Sequence, residues 1–126
     1  MRIFKTKEFD RVARRERLTD LQLRQAVSEI EDGLVDADLG SNLFKKRIAH
    51  RNQGKRSAFR TLLAFRSGKK TFFLYCFSKS ERGNVSPKEK QALKILSKQY
   101  LKLSDDQINH AKLTGALVEI EANQDE

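Results

Sequence analysis

A chain of 126 residues has room for one domain around one core, because single domains cluster near roughly 100 to 150 residues. Its 38% hydrophobic and 34% charged residues exclude a wholly disordered chain, and 26 Lys+Arg against 17 Asp+Glu give a formal charge of +9 that points to a polyanion or an acidic protein as partner. One cysteine, two histidines and no apolar run of about 18 residues exclude an intramolecular disulfide, a Cys/His zinc cluster and a membrane span, so a soluble cytoplasmic protein is expected.

Residues 2–5 read as an opening strand. Thr6 then precedes Phe9, Val12 and Ala13 at helical spacing, which predicts a short amphipathic helix. Thr19 and Gln22 form a capping box for a second helix, whose apolar stripe runs through Leu23, Ala26, Val27, Ile30 and Leu34. Two helices joined this closely imply an α-hairpin. After the Gly40-Ser41-Asn42 turn signal, extended segments at 43–49, 58–66 and 70–78 predict an antiparallel meander. The last two are apolar on both faces and should lie centrally under helices, with Cys76 as a small buried hydrophobe.

Ser86-Pro87-Lys88-Glu89 is the best-marked helix start in the chain: a serine cap, proline at the first helical position and a glutamate closing the capping box. Its stripe of Ala92, Leu93, Ile95, Leu96 and Tyr100 should pack on the sheet, while Lys90, Lys94, Lys98 and Lys102 repeat along another face. Ser104 and Gln107 open a last helix to about Thr114, and the chain from Val118 onward reads as a frayed acidic tail. The expected organisation is α+β, with one domain at 1–103 and an appended helix and tail at 104–126.

Charge is distributed unevenly along these elements. Eleven basic residues and no acid stand between Leu43 and Ser80, whereas residues 104–126 carry six acids against Lys112 alone, a net −5 that leaves +14 on residues 1–103. No phosphate-cradling glycine loop is present, since Gly54-Lys55-Arg56-Ser57 lacks both the first glycine and the strand-to-helix setting. Paired carboxylates of the kind a glycosidase or metal hydrolase uses are equally absent. What remains is cationic chemistry. Strand alternation puts Lys45 and Arg47 on one face and Phe44, Lys46 and Ile48 on the other, and Arg60 on the neighbouring strand can join the first face. Three fixed cations on a sheet can grip a phosphodiester and stabilise its pentacoordinate transition state.

The order strand, α-hairpin, meander, helix, together with the blocks Lys45-Lys46-Arg47-Ile48-Ala49, Gly54-Lys55-Arg56-Ser57-Ala58-Phe59-Arg60-Thr61 and Phe77-Ser78-Lys79-Ser80-Glu81-Arg82-Gly83-Asn84-Val85, resembles the RelE/HigB-like toxins of bacterial type II toxin-antitoxin systems over most of residues 1–103. The resemblance implies a RelE-like fold and an endoribonuclease that needs no metal or cofactor. Such an enzyme enters the ribosomal A site and cuts mRNA by attack of a 2′-hydroxyl on the neighbouring phosphate. It is silenced by a cognate antitoxin, here expected to be of the helix-turn-helix, HigA-like kind. Carried over by position, Lys45 and Arg47 fall on the family's strand lysines, Arg60 on its arginine after an aromatic residue, and Lys79 and Arg82 in its last loop. This chain has Ser80 where the best-known members have an arginine and Ser86 where they have a tyrosine. Arg82 then stands in for the arginine, and His50, three residues beyond Arg47, becomes the candidate for acid-base work. Lys46, Arg51, Lys55 and Arg56 are expected to hold RNA. Two other classes compete: a ParE-like poison of DNA gyrase, which loss of the cations would favour, and a non-catalytic nucleic-acid-binding or interaction module, which the missing tyrosine favours.

Overall fold

Side-chain caps set the helix starts. The Thr6 hydroxyl accepts from the Phe9 amide at 3.1 Å and begins α1 (Lys7–Arg15), directly after strand β1 (Arg2–Thr6). Thr19 and Gln22 cap α2 (Asp20–Glu31) reciprocally. The computed structural model describes residues 1–50 and 54–121, with residue 50 and residues 54–57 described by backbone alone. A short β2 (Ala37–Asp38), which the sequence did not announce, precedes the meander of β3 (Leu43–His50), β4 (Gly54–Phe65) and β5 (Lys70–Ser78). Then come α3 (Pro87–Leu101), α4 (Asp105–Thr114) and β6 (Leu117–Ile120).

Among the described residues these strands form one sheet in the order β2-β3-β4-β5-β1-β6, antiparallel except where β1 runs beside β5. One face packs on α1 and α2 through Phe9, Ala13, Leu23, Val27, Ile48, Phe59, Leu63 and Phe73. The other packs on α3 and α4 through Phe4, Leu43, Leu62, Phe72, Phe77, Leu93 and Ile108. Helices on both faces account for strands that are apolar on both sides. The parity of β5 changes at Leu74, which is an extra residue: Leu62 faces Tyr75 while Leu63 faces Phe73. This bulge puts Phe72, Leu74, Tyr75 and Phe77 toward the α3 side, where simple alternation would have divided them.

Three expectations are corrected. Leu34 does not extend the α2 stripe; the helix ends before Gly33, which takes φ +87°, and Leu34 is 59% exposed. On α3 only Leu93 and Ser97 are buried, with Tyr100 half-buried, while Ala92, Ile95 and Leu96 face solvent. A fifteen-residue helix lying on a sheet buries a narrow stripe, and five apolar positions were too many for it.

The third correction concerns the acidic end. Residues 117–120 are a paired strand and not a frayed tail: Gly115 takes the left-handed conformation that ends α4, and β6 then lies antiparallel to β1, with Leu117 and Ile120 buried. Glu119 accepts two hydrogen bonds from Arg2 at 2.9 Å and one from Lys112 at 2.7 Å. These partners, Arg2 foremost, hold its carboxyl at about 2 against the desolvation that opposes them. Residues 122–126 lie outside the described residues.

Candidate functional site

Antiparallel register builds the cationic face. Arg47 on β3 sits opposite Arg60 on β4, and Lys45 sits opposite Leu62, which in turn faces Tyr75 on β5. Directly paired residues share a face, so Lys45, Arg47, Arg60, Tyr75 and Phe77 project from the same side of the sheet. The Arg47 amide is pinned by the Asp36 carboxylate, its guanidinium is exposed, and the residue borders an open cleft of about 520 Å³ between α2 and the ends of β3 and β4. Arg60 is half-buried, and its Nη1 is buried without a hydrogen-bond partner among the described residues. A buried, unspent cationic donor is costly unless a ligand answers it.

The loop from Ser78 to Ser86 closes one side of this face. The Ser78 carbonyl accepts from the amides of Glu81 and Arg82, turning the chain back over the sheet. Arg82 then spreads its donors: Nε to the Asn84 carbonyl at 3.0 Å, Nη1 to the Tyr75 hydroxyl at 3.3 Å, and both terminal nitrogens to the Glu89 carboxylate. Its guanidinium lies 5.6 Å from the centre of the Phe77 ring. Asn84 Oδ1 accepts from Lys45 Nζ at 3.4 Å, which links β3 to the same loop. Glu89 is therefore spent twice, closing the α3 capping box with Ser86 and fixing Arg82. The Arg82 hydrogen bonds, reinforced by those from Ser86, bring its carboxyl down to about 2, and in return Glu89 and then Tyr75 raise the Arg82 pKa.

The expected site residues thus separate. Lys45, Arg47 and Arg60 come together, and Arg82 joins them through Tyr75 and Asn84 as a clamp on the loop. Lys79 is exposed where β5 ends. Lys46, expected to hold RNA, is a correction: it is buried on the opposite face, with its ammonium on Glu29 at 2.8 Å and on the Leu34 carbonyl at 2.9 Å. Arg51, and the side chains of His50, Lys55 and Arg56, lie outside the described residues.

Tyr75 and Asn84 are the residues that the sequence reading passed over. Within a segment that is apolar on both faces, Tyr75 is expected in the core. It does pack at the edge of the α3-side cluster, but it is half-exposed, its hydroxyl reaches Arg82, and its ring centre lies 6.0 Å from that of Phe77. The signal for it was the polar tip of a tyrosine three residues before a strand end, and the Leu74 bulge hid which way it faces. Cys76 points to the other core, where burial pushes its thiol up to about 12 and leaves no nucleophile. Among the described residues no three His, Cys, Asp or Glu side chains converge as a metal site needs, and no helix is long and apolar enough to cross a membrane.

The chain can therefore present an anion with three cations and a half-exposed phenol on one rigid surface. A family model described as RelE toxin of RelE / RelB toxin-antitoxin system matches residues 1–120. No curated protein matches the chain.

Proposed function

Since the chain belongs to the RelE toxin family and is thereby a toxin of a toxin-antitoxin system with an antitoxin as its partner, we propose that it is a ribosome-dependent endoribonuclease that cleaves mRNA without a metal. The observation that carries this reading is the register placing Arg47 opposite Arg60, with Lys45 two residues away on the same face. Cleavage by a neighbouring 2′-hydroxyl needs no protein nucleophile. The 2′-hydroxyl gives its proton to water as its oxygen bonds to phosphorus, the bond from phosphorus to the 5′-oxygen breaks as that oxygen takes up a proton, and the products are a 2′,3′-cyclic phosphate and a 5′-hydroxyl.

In that reaction the protein supplies charge and position. Lys45, Arg47 and Arg60 surround the non-bridging oxygens as negative charge grows on them, and the unpaired Arg60 Nη1 gains its partner there. Tyr75, half-exposed and backed by the buried Phe77, offers a ring on which a base can stack. Because the Tyr75 hydroxyl accepts from Arg82, its own proton stays free to be given to the departing 5′-oxygen. Arg82 acts through Tyr75 and is a positioning residue. The site faces outward at one end of the sheet, which suits a substrate held by the ribosome in its A site. Retention of all three cations supports RNA cleavage over gyrase poisoning.

Cleavage of a defined mRNA on translating ribosomes tests the proposal. Arg60→Ala, and Lys45→Ala with Arg47→Ala, should each reduce the rate by about 10²- to 10³-fold, the usual cost of a lost pre-organised charge. Unchanged cleavage by the double variant would show the assignment to be wrong.

A further inference from the structure

α3 faces the sheet with Leu93, Ser97 and half of Tyr100, and presents a second surface that nothing in the fold covers. Ala92, Ile95, Leu96 and Gln99 follow one another at helical spacing along it, all exposed, with Ile95 at 57% and Leu96 at 38%. Beside this stripe run Lys98 and Lys102, the end of a row spaced one residue per turn whose earlier members, Lys90 and Lys94, are half-buried on the far side of the helix, with the Lys94 ammonium close to Gly40. Among the described residues none of the four is in an ion pair. The helix has a single acid, Glu89, and Arg82 already holds it.

We propose that this outer face of α3 is where the antitoxin docks, through an amphipathic helix that lays apolar residues on Ala92, Ile95 and Leu96 and sets carboxylates against Lys98 and Lys102. The inference rests on membership of the toxin family and not on the nuclease reading. Charge complementarity selects the occupant: Lys98 and Lys102, exposed one turn apart with no acid to answer them, match glutamates or aspartates at the same spacing. The apolar stripe decides between protein and RNA, because a phosphate backbone could use the lysines but would gain nothing from an exposed isoleucine and leucine, whereas an amphipathic helix uses both. Docking here also places the antitoxin against the helix whose first turn fixes Arg82, beside the cationic face.

The experiment uses purified full-length toxin and the purified antitoxin encoded beside it, with the dissociation constant measured by titration and mRNA cleavage on ribosomes measured separately. Ile95→Asp with Leu96→Asp should weaken antitoxin binding by at least about 30-fold, as loss of a central contact does. Cleavage by the free toxin should stay as in the parent protein. Lys98→Ala with Lys102→Ala, at two exposed positions that tolerate truncation, should slow association and flatten its salt dependence. Parental antitoxin affinity in both variants would overturn the proposal, and so would parental affinity combined with lost cleavage, which would assign the face to the ribosome. If the parent toxin does not cleave mRNA, the nuclease reading falls, and the affinities still decide this one.

Discussion

Arg82 shows how partners within the fold can take up a cation that the sequence offers to a phosphate. Four hydrogen bonds, two of them to the Glu89 carboxylate, leave it little freedom to follow a phosphate, and in the proposed mechanism its contribution passes through Tyr75. Glu89→Gln should therefore lower kcat by about 10- to 100-fold with little change in KM, as mispositioning does, and Tyr75→Phe should do the same while retaining substrate binding. Steady-state cleavage on ribosomes separates the two parameters. Lys46 argues the converse. Its removal should leave cleavage intact and cost about 1 to 3 kcal/mol of stability, since it answers Glu29 from a buried position while Glu29 itself is half in water. A denaturant melt of Lys46→Ala reads that loss directly. The strand alternation that put Lys46 opposite Lys45 was legible in the residues. Its partner was not, because Glu29 lies on α2 and no local rule joins a helix to the back of a strand seventeen residues later.

At the scale of elements, capping boxes were the most legible feature: Thr19 with Gln22, Ser86 with Glu89 and Ser104 with Gln107 all form, because each is a contact within four residues. Strand β6 was illegible for the opposite reason. Four residues with two valine or isoleucine side chains amid acids look like a tail until β1 supplies hydrogen bonds and Arg2 supplies charge. The carboxyl of Glu119 is depressed to about 2 from 4.5, so its contribution is complete above pH 4.5 and is lost as pH falls through about 2. Glu119→Gln should cost about 1 to 2 kcal/mol at neutral pH and remove that acid-side slope from the stability profile. Thermal unfolding from pH 7 down to pH 2 measures both. The bulge at Leu74 likewise left no mark on the sequence, and with it went the orientation of Tyr75.

Across the whole molecule, the charge asymmetry read from the chain survives folding only in part. Asp105 and Glu119 are taken up by Arg2, Lys70 and Lys112, so they neutralise one end of the sheet and leave the cationic face at the other end unanswered. RNA affinity should fall steeply and linearly with the logarithm of salt concentration, through release of counterions. Neutralising Lys55 and Arg56 together should reduce the slope by about 1 to 2, as expected for one phosphate contact each. Equilibrium binding to a short RNA between low and high salt provides the measurement.

The sheet threads its first strand between later ones. β1 takes β5 on one side and β6 on the other, with pairings such as Phe4 to Phe72 and Ile3 to Ile120. A chain emerging from its N-terminus consequently carries a strand without either neighbour until β5 follows, and the second neighbour arrives only when residue 120 has cleared the exit. Long loop closures of this kind are slow compared with helix formation. Order of synthesis thereby sets order of assembly: the toxin's sheet stays open beside its first strand until residues 117–120 exist to close it.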